Sequence, residues 1–140
     1  MGGALLGLEV PLSCYHRYVV TDDRAVTLKE LEEALQQVDP AYAIEGDLIK
    51  LGAGEYGIID ITQRGDPICD DDLNLLARFA EKTKHHEETL ASLRNAKCMV
   101  TVQPLRSDGL EPLWDWLLRN LAGILAFEGG HFCSREGPLN

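Results

Sequence analysis

Cys14 and His16 stand two residues apart, so on an extended chain they share a side. A Cys-x-His pair of this kind can bind a metal or pair a thiolate with an imidazolium. Two ligands do not complete a metal site, and a lone strand histidine is more often a hydrogen-bonded core residue. His85-His86-Glu87-Glu88 is the second group with ligand chemistry. Consecutive helical residues point about 100° apart, so only His85 and Glu88 share a side, and a solvated helix face is the simpler reading. Asp66 and the run Asp70-Asp71-Asp72 could chelate a hard cation. EF-hand spacing is missing, however, and acids at a helix N-terminus answer the dipole without any metal. Asp60 lies among isoleucines and needs a partner, for which Arg17 on a neighbouring strand is the candidate.

The remaining cysteines do not extend these groups. Cys14, Cys69, Cys98 and Cys133 are separated by 55, 29 and 35 residues, with no Cys-x-x-Cys. That is neither a zinc ribbon nor a disulfide framework, and free cysteines mostly pack as small hydrophobes. No phosphate loop, nucleophile elbow, His-Glu-x-x-His or dinucleotide fingerprint is present in the sequence. Arg64-Gly65-Asp66 matches an adhesion tripeptide, but three residues recur by chance. No catalytic residue is assigned, and no metal or cofactor is expected.

Charge narrows the partners. Thirteen basic residues are scattered among 23 acidic ones, for a net charge of −10. Nucleic acid and anionic membranes are bound through clustered Lys and Arg, so both are disfavoured. The charge suits a solvated surface or a basic protein partner. Met1 to Leu8 has no basic region and Glu9 follows closely, which predicts a chain that is not exported and acts in the cytoplasm. At 140 residues, 45% of them hydrophobic, a single domain over residues 1–140 is expected.

The elements that must position these residues follow from periodicity. Residues 8–20 alternate with period two, which predicts a strand. Thr27-Leu28-Lys29-Glu30 is a capping box, and Leu28, Leu31, Leu35 and Val38 continue it as a helix over 27–38. Strands are expected over 42–51, with a bulge or tight turn at Gly46-Asp47, and over 55–63, joined by Gly52-Ala53-Gly54. A helix opening at Asp70-Asp71-Asp72 covers 71–96, unless it breaks near His85. A strand over 97–105 completes β-α-β-β-α-β. That order resembles the ferredoxin-like fold in topology, with both helices on one face of a four-stranded sheet.

The expected fold is therefore α+β: a ferredoxin-like core over 8–105 and an extension over 106–133. The extension holds a helix over 110–121 capped by Gly123, then a short hairpin of 124–127 and 131–133 on Gly129-Gly130. Residues 134–140 are expected to fray.

The sheet face without helices would carry Tyr15, Arg17, Val19, Tyr56, Ile58, Asp60, Met99 and Thr101, and the 110–121 helix is expected to cross it. Trp116, at the margin of that helix's apolar stripe, is either core-edge packing or an interface anchor. Two functions follow. The first is a non-catalytic protein-binding or regulatory module acting through its acidic surface and Trp116, for instance as a neutraliser of a basic partner. The second is a small enzyme or ligand-binding protein with a pocket between sheet and third helix, lined by Tyr15, Arg17, Tyr56 and Asp60. A homodimer formed through the 42–51 edge or the C-terminal hairpin is expected as well.

Overall fold

The computed structural model describes residues 15–127 and 131–139. Strand β1 (His16–Val20) is the described end of the 8–20 alternation; Cys14 lies outside the described residues. Helix α1 (Leu28–Val38) is capped by Thr27, whose hydroxyl oxygen accepts from the Glu30 amide at 3.1 Å. The reciprocal half of the capping box is replaced, because the Glu30 carboxylate is taken by Arg24 at 2.7 Å. Gly46-Asp47 makes a tight turn that splits the 42–51 segment into β2 (Tyr42–Glu45) and β3 (Leu48–Leu51). Strand β4 (Gly54–Gln63) follows across the second turn.

Helix α2 (Pro67–Ala80) begins before the acidic run. Asp66 accepts from the Ile68 amide at 2.9 Å, and Pro67 fills the first turn, where its missing amide costs nothing. In sequence the same Asp-Pro pair reads as the end of a strand. The chain breaks over 81–85, and α3 (His86–Arg94) resumes as a separate helix, so 71–96 is not continuous. Strand β5 (Cys98–Pro104) and helix α4 (Glu111–Asn120) follow. Leu121, not Gly123, caps α4, donating its amide to the Leu117 carbonyl. Gly123 instead opens β6 (Gly123–Phe127), where a Cβ would run into the Val19 carbonyl.

β6 pairs with β7 (His131–Ser134), and β7 with β8 (Gly137–Pro138). The turn at Gly129-Gly130 lies outside the described residues. The tail does not fray as far as Leu139. That residue is buried, donates its amide to the Phe132 carbonyl at 2.9 Å, and accepts from the His85 amide at 3.2 Å.

Among the described residues eight strands form one sheet in the order β2-β3-β4-β5-β1-β6-β7-β8, with every pair antiparallel. The protein is thus mixed α/β, and its strand order departs from the ferredoxin-like one. There the first strand would lie between the third and fourth; here β5 stands between β4 and β1. The central strands give the physical reason. Tyr18, Val19 and Val20 are buried in succession, as are Cys98, Met99 and Val100. Strands buried on both sides need cover on both sides, which two helices on one face cannot supply.

The helices are divided accordingly. On one face α1 and α4 pack Leu31, Leu35, Leu113, Trp114 and Leu117 against Tyr18, Val20, Ile49, Ile59, Val100 and Val102. On the other, α2 and α3 pack Cys69, Leu73, Leu76, Ala80 and Leu93 against Val19, Met99, Ile124 and Ala126, with Phe132 and Leu139 closing the end. The third helix of the sequence reading therefore joins α1 and does not cross the Arg17 face. The C-terminal hairpin covers the free edge of β1 within its own chain.

Candidate functional site

The α2–α3 layer stops short of the β2–β4 end of its face. At that boundary lies a pocket of about 290 Å³ lined by Tyr15, Arg17, Asp60, Thr62, Ile68, Asp72 and Thr101. The register explains who meets there. Arg17 on β1 pairs with Thr101 on β5, and Thr101 pairs with Asp60 on β4, so the three form one row across the sheet. Arg17 and Asp60 are two strands apart and are not ion-paired. Arg17 instead donates from Nε to Asp72 of α2 at 3.1 Å, tying helix to sheet with both side chains largely buried. Its guanidinium also stands 5.3 Å from the centre of the Tyr15 ring. Asp60 is exposed, and its Oδ1 accepts from the Ile61 amide at 2.9 Å.

Three of the five residues singled out in the sequence therefore converge, though beside α2 and not beneath the third helix. Tyr56 does not join them. The β3–β4 register shifts so that Ile49 faces Gly57 and Lys50 faces Glu55, leaving Tyr56 as an extra residue. This bulge breaks the alternation, and Tyr56 packs against the α1–α4 core. Its ring lies 4.7 Å from the Arg106 guanidinium carbon and against Gly109, whose φ of 88° and lack of a Cβ both suit the contact. Thr62, Ile68, Asp72 and Thr101 were not assigned to the pocket from sequence. Thr101 and Thr62 were reachable once the register was known; Ile68 and Asp72 needed the true start of α2.

Trp116 lies in a second depression of about 510 Å³ between the outer sides of α1 and α4. Half-buried Trp116 and Pro112 from α4 face Ala34, Gln37 and Val38 from α1. Val38 is 63% exposed although apolar. Glu111 and Asp115 border the groove, and Arg119 approaches Asp115 only to 3.9 Å with both side chains well exposed. Glu33, one turn before Gln37 on the same side of α1, is exposed as well.

The other chemical candidates are placed differently. His16 packs edge-on against Phe127 at 5.1 Å and near Trp114 at 5.9 Å, within the apolar layer. His85, His86, Glu87 and Glu88 are exposed, as expected of a solvated face. Among the described residues no three His, Cys, Asp or Glu side chains are grouped to hold a metal ion. Burial raises the Cys69 thiol pKa, which the Thr62 hydroxyl partly offsets, and burial raises that of Cys98 too. Both favour the unreactive thiol form. Among the described residues no helix is long and apolar enough to cross a membrane.

No family model, curated protein or solved structure matches the chain.

Proposed function

We propose that the protein is a non-catalytic binding module whose α1–α4 groove takes a basic, amphipathic segment of a protein partner. The observation that carries this reading is Trp116 half-buried in a groove beside the 63%-exposed Val38. Apolar surface of this kind, bordered by charge, favours partners that bring apolar side chains, and a half-buried Trp is a common anchor. The charged residues that line the groove are Glu111, Asp115 and Arg119, two acids to one base, and the whole chain carries a net charge of −10. Charge complementarity then selects a Lys- or Arg-rich partner and speeds its approach. Neutralisation of a basic protein in the cytoplasm is a role that such a surface would serve.

The test uses a Trp114→Phe variant, so that Trp116 alone reports. It is titrated with a model amphipathic helix of Leu and Lys, and separately with its Leu and Glu counterpart. A change in Trp116 emission with the basic peptide alone, weakening as salt rises, is the expected result. No response, or an equal response to both peptides, contradicts the reading. Self-association through the outer β2 edge is a second part of the proposal. Light scattering decides it, and a monomer mass at about tens of micromolar ends it.

A further inference from the structure

The pocket at the junction of α2 and the sheet holds groups of both charges, fixed by different means. Arg17 has five N–H donors, and only Nε is taken, by Asp72 at 3.1 Å. The Arg17–Asp72 contact holds one edge of the guanidinium and Tyr15 lies under it at 5.3 Å, while the side chain is only 13% exposed. Its terminal N–H edge has no acceptor among the described residues. That edge is the planar fork that receives a carboxylate through two parallel hydrogen bonds. On the far side of Thr101, Asp60 keeps one carboxylate oxygen for its neighbour's amide, and the other has no hydrogen bond or ion pair among the described residues.

Arg17 and Asp60 occupy one row with a single strand between them, so their backbones stand about 10 Å apart. Both side chains line the pocket, which leaves room for a small molecule that carries both charges. Thr101, between them, offers a hydroxyl. Ile68, 62% exposed at the start of α2, gives an apolar wall. A volume of about 290 Å³ lies at the small end of ligand pockets.

We propose that this pocket binds a free α-amino acid with an apolar side chain, its carboxylate on Arg17 and its ammonium on Asp60. A simple cation would use Asp60 and leave the Arg17 fork idle. A simple anion would use the fork and meet Asp60 as an uncompensated like charge. Only a zwitterion uses both ends. This inference does not depend on the α1–α4 groove, which faces the opposite side of the sheet.

The experiment is a backbone amide NMR titration of the full chain with L-leucine. Leucinamide, which lacks the carboxylate, and 4-methylpentanoate, which lacks the ammonium, are run beside it. Saturable shifts at Asp60, Thr101 and Ile68 are expected with L-leucine, with each single-charge analogue weaker by about tenfold or more. Asp60→Asn alters an exposed side chain, leaves the fold standing, and should weaken L-leucine by a similar factor. Arg17→Lys keeps the charge but removes the fork, and should do the same. No saturable shift up to about 10 mM L-leucine overturns the proposal. So does equal binding of leucinamide, or undiminished binding by the Asp60→Asn protein.

Discussion

The two faces of the sheet are finished differently. On the α1–α4 face, helix side chains cover the strands from β2 to β6, and Tyr18, Ile49, Ile59, Val100 and Val102 are all essentially inaccessible. On the α2–α3 face, cover is complete over Val19, Met99, Ile124 and Ala126 but thins at Arg17 and Thr101 and gives out at β4, where Ile58 is 37% exposed and Asp60 faces solvent. The first face is sealed, and its exposed apolar surface lies outside its helices, in the Trp116 groove. The second face is where polar side chains of the sheet itself can reach a ligand. A sealed half and an open half thus share one sheet, and substitutions in each should behave differently.

The largest contrast is expected in the cores. Leu117 of α4 is 0% exposed at the centre of the sealed face, whereas Leu73 of α2 is 8% exposed near the limit of cover. Leu117→Ala should cost about 2–4 kcal/mol, and Leu73→Ala should fall at or below the low end of that range. Denaturant midpoints of the two variants give the comparison. An unchanged midpoint for Leu117→Ala, or the reverse order, would break it.

A pH effect of similar size distinguishes the sealed face further. Tyr18 is fully buried and donates its hydroxyl to the Leu121 carbonyl at 2.6 Å. Burial pushes its pKa up to about 12, with Arg135 pulling it slightly back. The unfolded chain releases this proton near pH 10, so between about 10 and 12 the folded state binds more protons. Stability from this group is whole below pH 10 and declines as pH rises through 12. The contribution is about 2–3 kcal/mol. Stability curves for wild type and Tyr18→Phe should therefore converge as pH rises through that window, and parallel curves would show that Tyr18 does not hold its proton.

Smaller effects belong to the open half. Arg17→Met leaves the largely buried Asp72 carboxylate without its partner and should cost about 1–2 kcal/mol, changing little in high salt. A loss as large as that of Leu117→Ala would mean that the pocket edge is a structural keystone and not a recognition surface.

Much of this division was legible in the sequence, and the gaps have physical causes. Local signals served well: the Thr27 cap, the Gly46-Asp47 turn and the stripe of Leu113, Trp114, Leu117 and Leu121 all specify their elements through contacts a few residues apart. Strand order is set by pairings across 35 residues or more, as between Gln63 and Cys98, and alternation alone does not encode it. Buried runs such as Tyr18-Val19-Val20 were the available hint that both faces needed helices. Tyr56 was misplaced because a single bulged residue reverses the side on which a residue falls. Tyr15, Arg17 and Asp60 were found together because alternation put them on one face. The Asp72 partner was missed because it arrives from a helix whose start read as the end of a strand.

On the function proposed above, the groove beside Trp116 recognises its partner through apolar contact framed by negative charge. The most direct measurement reverses that charge. A Glu111→Lys, Asp115→Lys double variant alters two exposed side chains and leaves Trp116 and Val38 in place. In the Trp114→Phe background, its Trp116 emission should lose the response to the Leu and Lys peptide and gain one to the Leu and Glu peptide. Unaltered preference for the basic peptide would contradict the account.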